Sequence, residues 1–186
     1  MRYLIGFLLV IGFIVLVFIL IFKGFNSGGG KTTTKPLVDY ANSNTTVQMT
    51  IDGPVNANQT HYELQMVVGS SQSQMNLMQG YEGNVVQSKT YTNNASSYAE
   101  FLRALDLAGY NQGVIGSGVN TDPRGYCPFG QRYTYEIVNG STDIQNFWAT
   151  SCGGQGTFKG NATAVKRLFI AQMPDFSTVA SAGGLN

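Results

Sequence analysis

Charge is scarce in this chain: of its 186 residues only 11% are Asp, Glu, Lys or Arg. Four of the 11 basic residues, Arg2, Lys23, Lys31 and Lys35, flank a single hydrophobic run. Residues 36–186 keep seven basic side chains against ten acids, a formal charge of −3. Binding nucleic-acid phosphates requires clustered Lys and Arg, so no nucleic-acid partner is expected. Histidine occurs once and cysteine twice. One histidine, His61, assembles no Ser/His/Asp constellation of any specificity, and the sequence has no GxSxG. Cys127, Cys152 and His61 lack the paired spacing of a zinc site, and Asn120 and Asp122 lack the DxDxDG order of a calcium loop. No catalytic residue, cofactor or metal is expected from these patterns.

What the chain does have is a run of 20 residues, Tyr3 to Phe22, without a charge. At about 1.5 Å per helical residue this run spans roughly 30 Å, the hydrocarbon thickness of a bilayer. It exceeds the apolar core of a secretory signal peptide, about 7–15 residues, so residues 1–23 are read as an uncleaved transmembrane signal anchor with the bilayer as partner. Residues 24–35 (GFNSGGGKTTTK) have no apolar period and read as a flexible linker. GGGKTT is not a Walker A loop, because Phe25 stands where the first glycine is required and no helix follows. The positive-inside count by itself favours a cytoplasmic domain. Low charge, abundant Asn, Ser, Thr, Gly and Tyr, and two cysteines placed to pair favour the opposite side. The expected topology is a single pass, with the amino terminus cytoplasmic and the domain, 36–176, extracytoplasmic. Residues 177–186 read as a flexible tail.

Within the domain, Val47, Met49 and Ile51 alternate with polar residues up to the Asp52-Gly53-Pro54 break, predicting a strand. Tyr62, Leu64, Met66 and Val68 alternate with His61, Glu63 and Gln65 in a second, which places His61 on its polar side. Met75–Gln79 and Val85–Thr92 follow as further strands. Ser97 with Glu100 forms a capping box for a helix in which Tyr98, Phe101, Leu102 and Leu105 share one face up to Gly109. Tyr110–Arg124, rich in glycine, is a long loop. Arg132–Val138 and Ser141–Ser151 read as a hairpin around a type I′ Asn139-Gly140 turn. Asn161 caps a last helix, which Pro174 ends. Alternating rather than continuously apolar strands predict an α+β domain: an antiparallel sheet with two helices on one face and a disulfide-closed hairpin.

A two-residue turn at Asn139-Gly140 pairs Val138 with Ser141. Counted outward, that register sets Cys127 opposite Cys152 and puts Tyr133, Tyr135 and Ile137 on a core face with Ile144 and Trp148. A Cys127–Cys152 bond closes a loop of about 26 residues and contributes roughly 3–4 kcal/mol in the chain-entropy model. Tyr110, Arg124 and Tyr126, residue types enriched where proteins meet partners, are the candidates for a partner-binding surface. Asn44, Asn58, Asn94, Asn139 and Asn161 each begin an N-x-S/T tripeptide, the glycosylation acceptor.

The short amino-terminal tail, the single anchor and the segment WATSCGGQGTFKGNATAVKRLFIAQMPDF (Trp148–Phe176) together resemble uncharacterised exported proteins of small-genome candidate-phylum bacteria. The resemblance covers mainly the C-terminal third. It implies a cell-surface location and transfers no functional residue. The leading expectation is a membrane-anchored structural or binding domain of the cell envelope with a protein or glycan partner. The alternatives are an envelope enzyme, such as a carbohydrate hydrolase using paired carboxylates, and an accessory subunit of a membrane assembly.

Overall fold

A computed structural model describes residues 35–41 and 44–186, which belong to one contiguous unit. The expected anchor Tyr3–Phe22 and all of the linker except Lys35 lie outside the described residues. Among the described residues, no helix is long and apolar enough to cross a membrane.

The period-two patterns become strands. β1 (Thr45–Asp52), β2 (Tyr62–Val68), β3 (Gln72–Gln79), β4 (Asn84–Thr92), β5 (Arg132–Asn139) and β6 (Thr142–Thr150) form one antiparallel sheet in the order β4-β3-β2-β1-β5-β6. Register stacks the apolar positions: Met49 lies opposite Met66 and Tyr135, and Ile51 opposite Leu64 and Tyr133. Val47, Met49, Ile51, Leu64, Met66, Val68, Met75 and Tyr135 are all buried on this face. Burying each such side chain stabilises by about 2 kcal/mol.

The chain leaves the sheet at β4, crosses the apolar face as α1 (Ala95–Leu107), and returns through a long loop to β5 beside β1. α2 (Ala162–Ala171) and α3 (Phe176–Ala182) complete the covering layer. α1 buries Tyr98, Phe101, Leu102 and Leu105, as its spacing predicts. The Phe101 and Phe169 rings meet edge to face at 5.3 Å, joining α1 to α2. The α+β architecture, the antiparallel sheet and the disulfide all match the expectation.

Four local expectations are corrected. α1 begins at Ala95, two residues before Ser97, and its cap is Asn94, whose side chain accepts from the Ser97 amide at 3.0 Å. Asn caps a helix at least as well as Ser. Asn161 caps α2 in the same way, so two of the N-x-S/T tripeptides serve as helix caps. In the β5–β6 hairpin, Asn139 stays in the ladder opposite Thr142, and the loop residues are Gly140 (φ 61°) and Ser141. Positive φ at the first loop position but not at Ser141 marks a II′ turn, since I′ requires it at both. A bulge then leaves Ile144 unpaired and exposed, and sets Tyr135 opposite Phe147 and Thr134 opposite Trp148. Phe147 therefore faces the helices, while Trp148 lies on the other face of the sheet. Finally, residues 177–186, expected as a flexible tail, carry most of α3 and bury Val179, Ala180 and Leu185. Three apolar side chains set among small residues suffice to dock a short helix on β3.

Candidate functional site

The sheet face away from the helices is polar. Gln48, Gln65 and Asn76 form a side-chain amide row across β1, β2 and β3, with donor–acceptor distances of 3.3 Å at both steps. At the Asp52 end of β1, the register places Asp52 opposite Glu63 on β2 and opposite Arg132 on β5. Three charged residues thus line up across three neighbouring strands. His61, two residues before Glu63, shares its side of the chain because strand side chains alternate.

These groups are closely coupled. Arg132 is buried; its Nε donates to Asp52 Oδ2 at 2.6 Å and a terminal nitrogen donates to the Gly53 carbonyl at 2.8 Å. That hydrogen bond raises the Arg132 pKa above its ordinary value. His61 lies on the polar side of its strand as expected, but is fully buried there under the loop that follows β1. The Asp52-Gly53-Pro54 break folds residues 53–60 back over the strand ends. The His61 ring stacks on Tyr81 at 4.1 Å, and Tyr81 is held by its hydroxyl donating to the Asn56 carbonyl at 2.9 Å. His61 Nδ1 lies 3.2 Å from the Pro54 carbonyl. Nε2 points between Asp52 Oδ1, at 3.2 Å, and Glu63 Oε1, at 3.6 Å. Burial first, then the Asp52 carboxylate, raises the Glu63 pKa from the ordinary 4.5, against lowering contributions from His61 and Arg132. The sequence signal for this cluster was the His61-x-Glu63 spacing within a strand next to the acid that ends β1. Strand pairing, which supplies Asp52 and Arg132, was not legible there.

The residues expected to bind a partner do not form one surface. Tyr110 belongs to the core: it is fully buried, and its hydroxyl donates to the carbonyls of Gln48 at 2.6 Å and Glu136 at 2.8 Å, bridging β1 and β5. This corrects its assignment to a surface. Arg124 is exposed and grips Asp122, with Nη2 at 2.6 Å from Oδ2. Hydrogen bonding from Arg124 holds the Asp122 carboxyl below the usual carboxylate range. Tyr126 leans on Trp148 with ring centres 4.8 Å apart, and the Trp148 indole donates to the Asn120 carbonyl at 2.8 Å. The loop after α1 wraps the β6 edge, from Gly113 against Phe147 on one face to Tyr126 against Trp148 on the other. A groove of about 280 Å³ lies between this loop and the bulge of β6, lined by Val114, Ile115, Val119, Ile144 and Phe147 among others.

Cys127 and Cys152 are bonded, with an S–S distance of 2.04 Å and Cα atoms 5.8 Å apart. The register from which the bond was expected is not the observed one. The ladder ends at Arg132–Thr150, and the cysteines meet beyond it through a tight turn in which Cys127 has φ 48° and Gly130 N–H donates to the Cys127 carbonyl at 3.1 Å. Gly130 is required there, because a Cβ would overlap the Cys127 sulfur and the Ser151 hydroxyl.

No protein-family model matches the chain, and no curated protein matches it either.

Proposed function

We propose that this chain is a single-pass, membrane-anchored domain displayed outside the cytoplasm, where it serves as a structural or binding component of the cell envelope. The observation that carries the location is the Cys127–Cys152 bond, which uses both cysteines of the sequence. Disulfides persist in oxidising compartments and are rare in the cytosol. The uncharged run Tyr3–Phe22 supplies the membrane attachment. The groove beside the β6 bulge, with Val114, Ile115 and Ile144 exposed, is the surface offered to a protein or glycan partner, and Arg124 and Tyr126 lie on the same loop. Fusing alkaline phosphatase or green fluorescent protein to the C-terminus of the full chain tests the location. Active phosphatase with a dark fluorescent fusion is expected; bright fluorescence with inactive phosphatase would place the domain in the cytoplasm and end the proposal.

One observation favours the enzyme alternative. Asp52 and Glu63 stand opposite each other in register, with ligating oxygens within 4.8 Å. The near edge of the range for glycosidase carboxyl pairs is roughly 5 Å. Their carboxylates converge on His61, however, rather than on an open space of sugar width. Hydrolysis of cell-wall oligosaccharides by the wild-type chain but not by Glu63→Gln would decide for the enzyme.

A further inference from the structure

We infer that Asp52, His61 and Glu63 form a binding site for a divalent first-row transition ion, with Zn²⁺ the best-fitting occupant. His61 carries the argument. Its side chain is 1% exposed, and Nδ1 faces the Pro54 carbonyl at 3.2 Å. A carbonyl accepts only, so Nδ1 is the donor there and Nε2 is the ring nitrogen turned toward the two carboxylates. Nε2 and Asp52 Oδ1 are both buried without a hydrogen-bond partner. Three ligating atoms, Nε2, Asp52 Oδ1 and Glu63 Oε1, thus lie within 4.8 Å of one another, one imidazole and two carboxylates converging as the donor set of a cation site.

The spacing suits a tetrahedral ion. Bonds of about 2.0–2.1 Å at tetrahedral angles set neighbouring ligand atoms about 3.3 Å apart. The distances from Nε2 to the two carboxylate oxygens, 3.2 and 3.6 Å, bracket that edge; the third edge, between the Asp52 and Glu63 oxygens, reaches 4.8 Å, so the partly exposed Glu63 side chain must swing inward to complete the site. The surroundings also match those of metal ligands, whose remaining polar atoms are hydrogen-bonded so that they hold their orientation. Arg132 occupies Asp52 Oδ2 and leaves Oδ1 free to ligate, and Pro54 and Tyr81 fix the imidazole. The carboxylate side chains retain 21% and 27% exposure, which leaves the ion an entry path from the Glu63 side. An imidazole with two carboxylates selects a borderline ion over Ca²⁺ or Mg²⁺, which prefer oxygen-only shells.

The test uses the untagged full chain in detergent, stripped with a chelator and titrated with ZnCl₂ and, separately, CoCl₂. One equivalent of Zn²⁺ should bind and raise the unfolding midpoint, and Co²⁺ should develop the visible absorption of a tetrahedral site. His61→Gln should weaken Zn²⁺ binding at least about 100-fold, the upper end of what loss of an outer-shell partner alone costs. Because the buried His61 variant risks misfolding, Glu63→Gln is measured beside it; Glu63 is half-buried at the open side, and its variant should keep the native circular dichroism while losing affinity and the Co²⁺ spectrum. Absence of Zn²⁺ binding to the native chain would overturn the inference, as would unchanged affinity in a folded Glu63→Gln. A six-coordinate, weakly absorbing Co²⁺ complex unaffected by either variant would also overturn it.

Discussion

Arg132 shows how one side chain sets the character of its neighbourhood. Its guanidinium is buried and pairs with the half-buried Asp52, and removing one partner of such a pair leaves an uncompensated charge. Arg132→Ala should therefore cost about 3 kcal/mol in urea unfolding. Arg132→Lys should recover only part of this, because an ammonium does not reach Asp52 and the Gly53 carbonyl with one rigid fork. Glu136 behaves differently. Burial, and secondarily Asp143, raises its pKa from the ordinary 4.5, so the folded chain holds this proton more tightly than the unfolded chain. Its protonated form favours folding, and that advantage is lost as pH rises from 4.5 through the folded value. Glu136→Gln cannot ionise and should gain stability relative to wild type as pH rises from about 4 to 7, the two curves converging at lower pH. A pH-independent difference would show that burial of the charge is not the cause.

At the scale of elements, the loop after α1 is tied to the sheet by Tyr110, whose hydroxyl donates to carbonyls on both β1 and β5. Tyr110→Phe should lose about 1–2 kcal/mol through those two hydrogen bonds, and Tyr110→Ala about 4 kcal/mol once the cavity is added. If chemical denaturation showed Tyr110→Phe to be as stable as wild type, the hydroxyl bridge would carry no weight. The helix caps are a second check. Asn94→Ala and Asn161→Ala should each cost about 1 kcal/mol, whereas Ser97→Ala should be nearly neutral, since Ser97 contributes its backbone amide and not its side chain to the cap. Helix and strand positions were legible because local periodicity reports burial on one face. The hairpin register was not, because a single bulge at Ile144 shifts the pairing and reverses the face of Trp148.

For the whole molecule, the disulfide spans 25 residues of sequence and holds the turn that starts β5 against the end of β6. The chain-entropy model gives about 3.5 kcal/mol for such a loop. Because the bond lies outside the β5–β6 ladder, reduction should lower the unfolding free energy measured in urea by about that amount while preserving the sheet. A loss of strand circular dichroism on reduction without denaturant would contradict this.

The sequence by itself determined the α+β class, the alternating strands, the amphipathic α1 and the cysteine pair, since each follows from local periodicity or from having only two cysteines to join. It also singled out Arg124 and Tyr126 on an exposed loop. Only tertiary structure decided that Tyr110 is core, that the C-terminal residues dock as a helix, and that His61 is buried between two acids. Those outcomes depend on which strands pair and in what register. Asp52, His61, Glu63 and Arg132 are brought together across three strands by that pairing, and no spacing along the chain records it.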